Sequence, residues 1–209
     1  MTGGQDHWNT VYGARAEDEL TWFEATPSVS LEYISAHLQP GEAFIDIGAG
    51  ASRLVDALIE KGFGPLSVLD HSAAALAVSQ LRLGQRGDHI DWIEADITDW
   101  QPDQTYALWH DRAVFHFLTD ANDRAAYVGA LSKALRPGGI AIIATFAQDG
   151  PEKCSGLPVV RYDAQDLAQE LERLCPGGFK VIEARRHMHI TPKGNHQSFQ
   201  YSVFRKVAA

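Results

Sequence analysis

The chain is 209 residues long, 45% apolar and 22% charged, a balance that suits one compact soluble domain with a full core. Its 27 acidic against 18 basic side chains give a net charge of −9, and basic residues cluster no further than short pairs such as Arg185-Arg186, which disfavours a nucleic acid partner. Two cysteines without a CxxC pair, no charged-then-apolar leader and no apolar run of about 18 residues predict a cytoplasmic protein away from the membrane.

The first 40 residues read as a polar-aromatic arm followed by a helix over 28–38. From residue 40 short apolar runs alternate with amphipathic segments, the pattern of βαβ units on a parallel sheet. A strand over 43–47 precedes a helix over 52–61 that stops at Gly62. A second strand, 66–69, ends in Asp70, and Ser72 caps a helix built on Leu76, Val78, Leu81 and Leu83. A third strand, 90–93, runs out near Asp96. The fourth, 106–109, leads into His110-Asp111. A helix over 123–135 breaks at Pro137-Gly138-Gly139 before a fifth strand over 140–146. A helix starting at Asp163 or Asp166 ends at Pro176-Gly177-Gly178. Two longer alternating segments, 180–190 and 198–207, read as an antiparallel hairpin closing one edge. Nothing divides the chain, so 1–209 is expected to form one domain: 1–40 covering arm and helix, 41–146 core, 147–209 loop, helix and hairpin.

The strongest local signal is Asp46-Ile-Gly-Ala-Gly-Ala-Ser52, set between a strand and a helix. Glycines at 48 and 50 permit a tight turn and close approach of a ligand, and the helix that follows aims its amides at that ligand. A dinucleotide fingerprint would want a third glycine at 53, where the chain has Arg53, and a P-loop is absent. Asp70 and Asp96 end the next two strands on the same crevice side. There one carboxylate can accept the hydroxyls of a ribose, and the other, or its neighbouring backbone, can read an adenine amino group.

With Leu135-Arg-Pro-Gly-Gly139 before the fifth strand, this pattern resembles the class I, Rossmann-like S-adenosylmethionine-dependent methyltransferases over residues 43–146. The arm His7-Trp-Asn-Thr-Val-Tyr12 with Trp22-Phe23, and the Asp111-Arg112 step, are similar to the elongation-factor lysine methyltransferases, which typically carry Lys-Gly where this chain has Arg112-Ala113. The resemblance implies a three-layer α/β sheet of about seven strands in order 3-2-1-4-5-7-6, the last antiparallel. It also implies S-adenosylmethionine as cofactor and S-adenosylhomocysteine as product. Carried onto this sequence, Asp46, Gly48, Ala49 and Gly50 flank the methionine half. Asp70 takes the ribose, Asp96 and Ile97 hold the adenine, and Trp8, Tyr12, Trp22, Arg53, His71 and His110 complete the cofactor set.

Methyl transfer from a sulfonium is a direct displacement, so the protein must align the acceptor, exclude water and take up any proton the acceptor loses. Asp111 is the first candidate for that last task, with His110 and His116 behind it; salt-bridge, helix-cap and buried-histidine roles stand beside these. The loop over 149–156 is placed to cover an acceptor pocket, and Arg161 and His189 are candidate substrate contacts. Cys154 reads as inert. His187, His189 and His196 lack the carboxylate or cysteine that would complete a familiar metal set, so no metal is expected. A small-molecule acceptor is the leading expectation, a protein lysine the alternative, and a non-catalytic cofactor-binding module a third; oligomeric state is left open.

Overall fold

A computed structural model describes residues 4–207; the domain expected over 1–209 includes residues 1–3 and 208–209, which lie outside the described residues. The arm begins with α1 (Gln5–Ala14) and a single 3-10 turn (Glu17–Glu19), followed by α2 (Ser28–His37). The core runs β1 (Phe44–Ile47), α3 (Leu54–Glu60), β2 (Leu66–Asp70), α4 (Ala73–Leu83), β3 (Ile90–Glu94), β4 (Tyr106–Arg112), α5 (Ala121–Ala134) and β5 (Leu135–Phe146). Beyond it lie β6 (Lys153–Cys154), β7 (Leu157–Pro158), α6 (Ala164–Leu174), β8 (Phe179–Ile190) and β9 (His196–Lys206).

Seven strands form one sheet in the order β3-β2-β1-β4-β5-β9-β8. The first five pair in parallel and β9 enters antiparallel beside β5. Counted within the sheet, this is the expected 3-2-1-4-5-7-6 order. Strand alternation divides the core into two apolar layers. Phe44, Val68, Leu108, Ile142 and Val203 pack with α1 to α4 on one face. Ile45, Leu69, Trp109, Ile143 and Phe204 pack with α5 and α6 on the other. β1 and β2 are buried along their whole length, as a sheet covered on both faces requires.

The local signals act where they were read. Ser72 Oγ accepts from Ala75 N at 3.2 Å to start α4, and Asp163 and Asp166 form a capping box on α6. Four elements differ from expectation. The arm is helical, and Asn9 Oδ1 accepts from Ser72 Oγ at 2.7 Å, docking α1 on the start of α4. β4 continues through Arg112, since β5 pairs with it as far as Ala144. The Pro137-Gly138-Gly139 step lies inside β5, with Gly138 at φ 75, so α5 ends earlier, at Ala134. The loop over 149–156 contains β6, which turns at Ser155-Gly156 and pairs with β7 just beyond the loop.

Candidate active site

The carboxyl ends of β1, β2 and β4 open onto one crevice, as parallel strands with helices on both faces dictate. Gly48 and Gly50 adopt left-handed φ values of 60 and 55. A Cβ at Gly48 would collide with Val114 Cγ2 and one at Gly50 with Tyr12 Oη, so neither position accepts a side chain as packed. The bend is tied to the next strand: Asp70 accepts from Gly50 N and from Ser72 N, both at 2.8 Å. Burial pushes the Asp70 carboxyl above its ordinary range despite those two amides.

Two adjoining lobes meet over this bend. The first encloses about 600 Å³ including its mouth and is largely aromatic and apolar, with Trp8, Tyr12, Trp22, Leu69, Ile97, Val114 and Phe117 around Asp70 and His71. The second, about 560 Å³, carries Glu17, Glu24, Ser30, Asp46, Ala49 and His110. Trp22, Ile47, Gly48 and Arg112 line both and form the waist between them. Arm and strap roof the lobes. Trp8 packs edge-on against Trp22 and Phe117, with ring centroids 5.7 and 5.2 Å away. The strap over 15–27 is fixed by Glu17 to Arg53 and Arg82, by Trp22 O to Arg112 at 3.0 Å, and by Thr21 O to His189 Nε2 at 2.8 Å.

β4 delivers its residues to opposite faces. His110 reaches the second lobe, where Nδ1 donates to Asp46 Oδ1 at 2.6 Å and Nε2 stands 2.9 Å from Ser30 Oγ. Asp111 turns the other way and lines neither lobe. It accepts from Val114 N, Phe115 N and the Tyr127 hydroxyl at 2.8, 3.0 and 2.6 Å. Burial raises its carboxyl to about 6 even so. Expected as the acceptor's base, Asp111 instead caps the turn after β4. His116 is likewise displaced from the crevice: fully buried, it accepts from Phe146 N at 3.2 Å. Burial, reinforced by Arg112, lowers it to about 3, which holds it neutral at physiological pH. Ala113 stands where the resemblance would place glycine and has a left-handed φ of 77, a conformation costing roughly 1–2 kcal/mol for a residue with a Cβ.

Several expected contacts have other partners. Arg53 pairs with Glu17 and lies 5.9 Å from the Phe23 ring centroid, lining neither lobe, so it braces the strap and does not reach the cofactor site. Asp96 closes its own turn, accepting from Thr98 N and Oγ1 at 2.9 and 2.7 Å, while its neighbours Ala95 and Ile97 line the first lobe. Arg161 donates to Gly150 O at 3.1 Å and pairs with Glu152, tying the β6–β7 loop together without facing either lobe. His189 is buried, with Nδ1 3.3 Å from Glu24, so it latches the strap and lines neither lobe. Among the described residues no group of three His, Cys, Asp or Glu could hold a metal ion. Sequence reading missed Glu17, Glu24, Ser30, Val114, Phe117 and the waist role of Arg112. Cys154 does line the first lobe, and burial raises its thiol to about 12.

Residues 44–139, just under half of the chain, match the family described as a methyltransferase domain. Over that segment the chain is similar to methyltransferase domains. It is similar to the eEF1A lysine and N-terminal methyltransferase of Mus musculus, 25% identical over 123 residues, 58% of this chain and 18% of that protein. It is also similar to a trans-aconitate 2-methyltransferase of Rhizobium etli, 32% identical over 117 residues, 56% of this chain and 42% of that one. The chain thus spans less than half the length of these two curated relatives. Among solved structures, the N-methyltransferase NodS from Bradyrhizobium japonicum, in complex with S-adenosylhomocysteine, superposes with TM-score 0.73 at 15% identity, covering 98% of each chain.

The two lobes differ in chemistry, as the two ends of S-adenosylmethionine do. An aromatic, apolar lobe with a buried carboxylate at the end of β2 suits a base and a ribose diol. The second lobe pairs acids with a histidine, and its carboxylates are acceptors that suit an ammonium group. Between them the glycine bend has no room for a Cβ at Gly48 or Gly50.

Proposed function

We propose that the chain is an S-adenosylmethionine-dependent methyltransferase of a small-molecule acceptor, working in the reducing cytoplasm that its two unpaired cysteines suit. The observation that carries this is the two-lobed crevice over the Gly48–Gly50 bend, apolar at one end and acidic at the other. Asp70 would hold the ribose, with Trp8, Tyr12, Leu69 and Ile97 around the base. Asp46, oriented by His110, would take the ammonium group. When bound, the cofactor supplies an electrophilic methyl group. The chain's own residues bind, orient and exclude water: α1, the strap and the β6–β7 pair close the crevice, and Ser155 Oγ stands 3.4 Å from His7 Nε2 where the loop meets the arm.

A protein lysine acceptor is favoured by one observation, the likeness to the mouse eEF1A methyltransferase. The roof over the crevice favours the small molecule. Calorimetry with S-adenosylmethionine and S-adenosylhomocysteine tests the cofactor, with micromolar binding expected; no heat from either rejects the reading. Methyl-labelled cofactor in whole lysate then separates acceptors. Label in the low-mass fraction supports the small molecule, and label in a protein band supports lysine. Binding without transfer to any acceptor identifies a non-catalytic module.

A further inference from the structure

Three successive carbonyls leaving the glycine bend accept hydrogen bonds from one face of α4. Gly50 O accepts from Ser79 Oγ at 3.2 Å, Ala51 O from Arg82 Nη1 at 3.2 Å and Ser52 O from Arg82 Nη2 at 2.8 Å. Ser79 and Arg82 stand three apart and so share a helix face. The same guanidinium reaches Asp56 on α3, through Nε at 3.2 Å and Nη2 at 2.7 Å. It also reaches Glu17 on the strap, through Nη1 at 2.6 Å. A guanidinium offers five N–H donors in a planar fork, and all three nitrogens of Arg82 donate.

Arg82 lines neither lobe, yet Glu17, Ala51 and Ser52 all line the second. It touches the site only through them. Of the two cations on Glu17, Arg53 is 41% exposed and weakened by water, whereas the Arg82 side chain is 15% exposed. Arg82 is therefore the firmer side of the clamp. The arm rests on the same helix, through Asn9 on Ser72, so both roof segments are seated on the element that holds the bend. Nη1 serves Glu17 and Ala51 O together, so the strap cannot leave without disturbing a bond that orients the bend.

We propose that Arg82 is a positioning residue that couples the strap to the glycine bend, so that the two loosen together when cofactor enters or leaves. The inference rests on the S-adenosylmethionine reading above. A ligand spanning both lobes has to pass the roof, and lifting the strap breaks a charge-assisted bond that leaves Glu17 and the guanidinium to be hydrated again. Arg82 thereby sets how long cofactor and product stay. Lysine keeps the charge but places three donors on one nitrogen, too compact to span the strap, the bend and α3 at once.

Hydrogen exchange of the ligand-free chain, read by mass spectrometry on peptides covering 15–27 and 46–54, tests the coupling. Glu17→Gln alters only the strap side and should speed exchange about threefold or more in both peptides; Arg82→Lys should speed it about 10-fold or more. Release of labelled S-adenosylhomocysteine, chased with unlabelled compound, should quicken by the same factors. Arg124 supplies the matched control. Its side chain is 17% exposed, and it joins α5 to Glu170 of α6 and donates to Leu118 O and Thr119 O on the other face of the sheet. Arg124→Lys should lower the thermal midpoint yet leave release and both peptides within about twofold of the unaltered chain. Exchange confined to the strap in Glu17→Gln, unchanged release in Arg82→Lys, or equal acceleration by Arg124→Lys overturns the proposal and leaves Arg82 a plain helix clamp. Should Arg82→Lys not fold, Glu17→Gln decides alone. Failure of the unaltered chain to bind S-adenosylhomocysteine strikes the methyltransferase reading itself, a different result.

Discussion

His110 and Asp111 are adjacent in the chain and serve different halves of the molecule. His110 faces the α1–α4 side and joins Asp46 and Ser30 in the second lobe. Asp111 faces the α5–α6 side, where it satisfies two amides and the Tyr127 hydroxyl, which also accepts from Trp109 Nε1 at 2.9 Å. Both side chains are at least 98% buried and hydrogen-bonded, so residue type alone does not separate them. Strand alternation does: one step along β4 moves a side chain through the sheet. A buried polar residue at the end of a catalytic-looking strand is therefore a site residue only if its parity points at the crevice.

Substitutions on the two faces should fail in different ways. The largest effect is expected from Asp111→Ala, which strands three buried donors at about 1–3 kcal/mol each. Urea unfolding should show a loss of about 3 kcal/mol or more, while S-adenosylhomocysteine affinity per folded molecule holds. Intact stability with lost turnover would return Asp111 to the role of base. The charge itself can be isolated with Asp111→Asn. Burial raises the folded carboxyl to about 6, above the roughly 3.9 of an unfolded chain, so ionisation costs the native state. Unfolding midpoints of the unaltered protein relative to Asp111→Asn should fall as pH rises from about 4 to about 6, then level.

His110→Ala should show the opposite split. Asp46 loses the donor that orients it, and a weakening of S-adenosylhomocysteine binding by about 10-fold, some 1.4 kcal/mol, is expected by calorimetry. A stability loss larger than that of Asp111→Ala would erase the distinction between the faces. Ala113→Gly, at the turn the two residues share, relieves a left-handed backbone and should raise stability by about 1 kcal/mol in thermal unfolding. Arg53→Ala sharpens the boundary of the site. Its side chain is 41% exposed in a pair with Glu17, so stability should change by less than about 1 kcal/mol, and cofactor affinity by less than twofold.

The parts legible in sequence were those set by short-range rules. Periodicity located the core strands and helices, Ser72 and Asp163 announced their caps, and glycines at 48 and 50 marked a bend that the left-handed φ values require. Asp70 followed from its place at the end of a strand. Arg53 and Arg161 were misplaced because a long cation beside a motif does not announce its acid; Glu17 lies 36 residues from Arg53 along the chain.

Chain order and hydrophobic period by themselves determined the α/β class and the crevice at the ends of β1 and β2, while the strand order came from the family resemblance. Tertiary structure alone decided which face each β4 side chain serves. It also brought Trp22 and Glu24 onto Arg112 and His189 onto Glu24, residues separated by up to 167 positions and joined only where strap, β4 and β8 converge. The physical reason is reach: caps and turns are built within a few residues, whereas pairing a buried charge requires whatever segment the fold brings alongside.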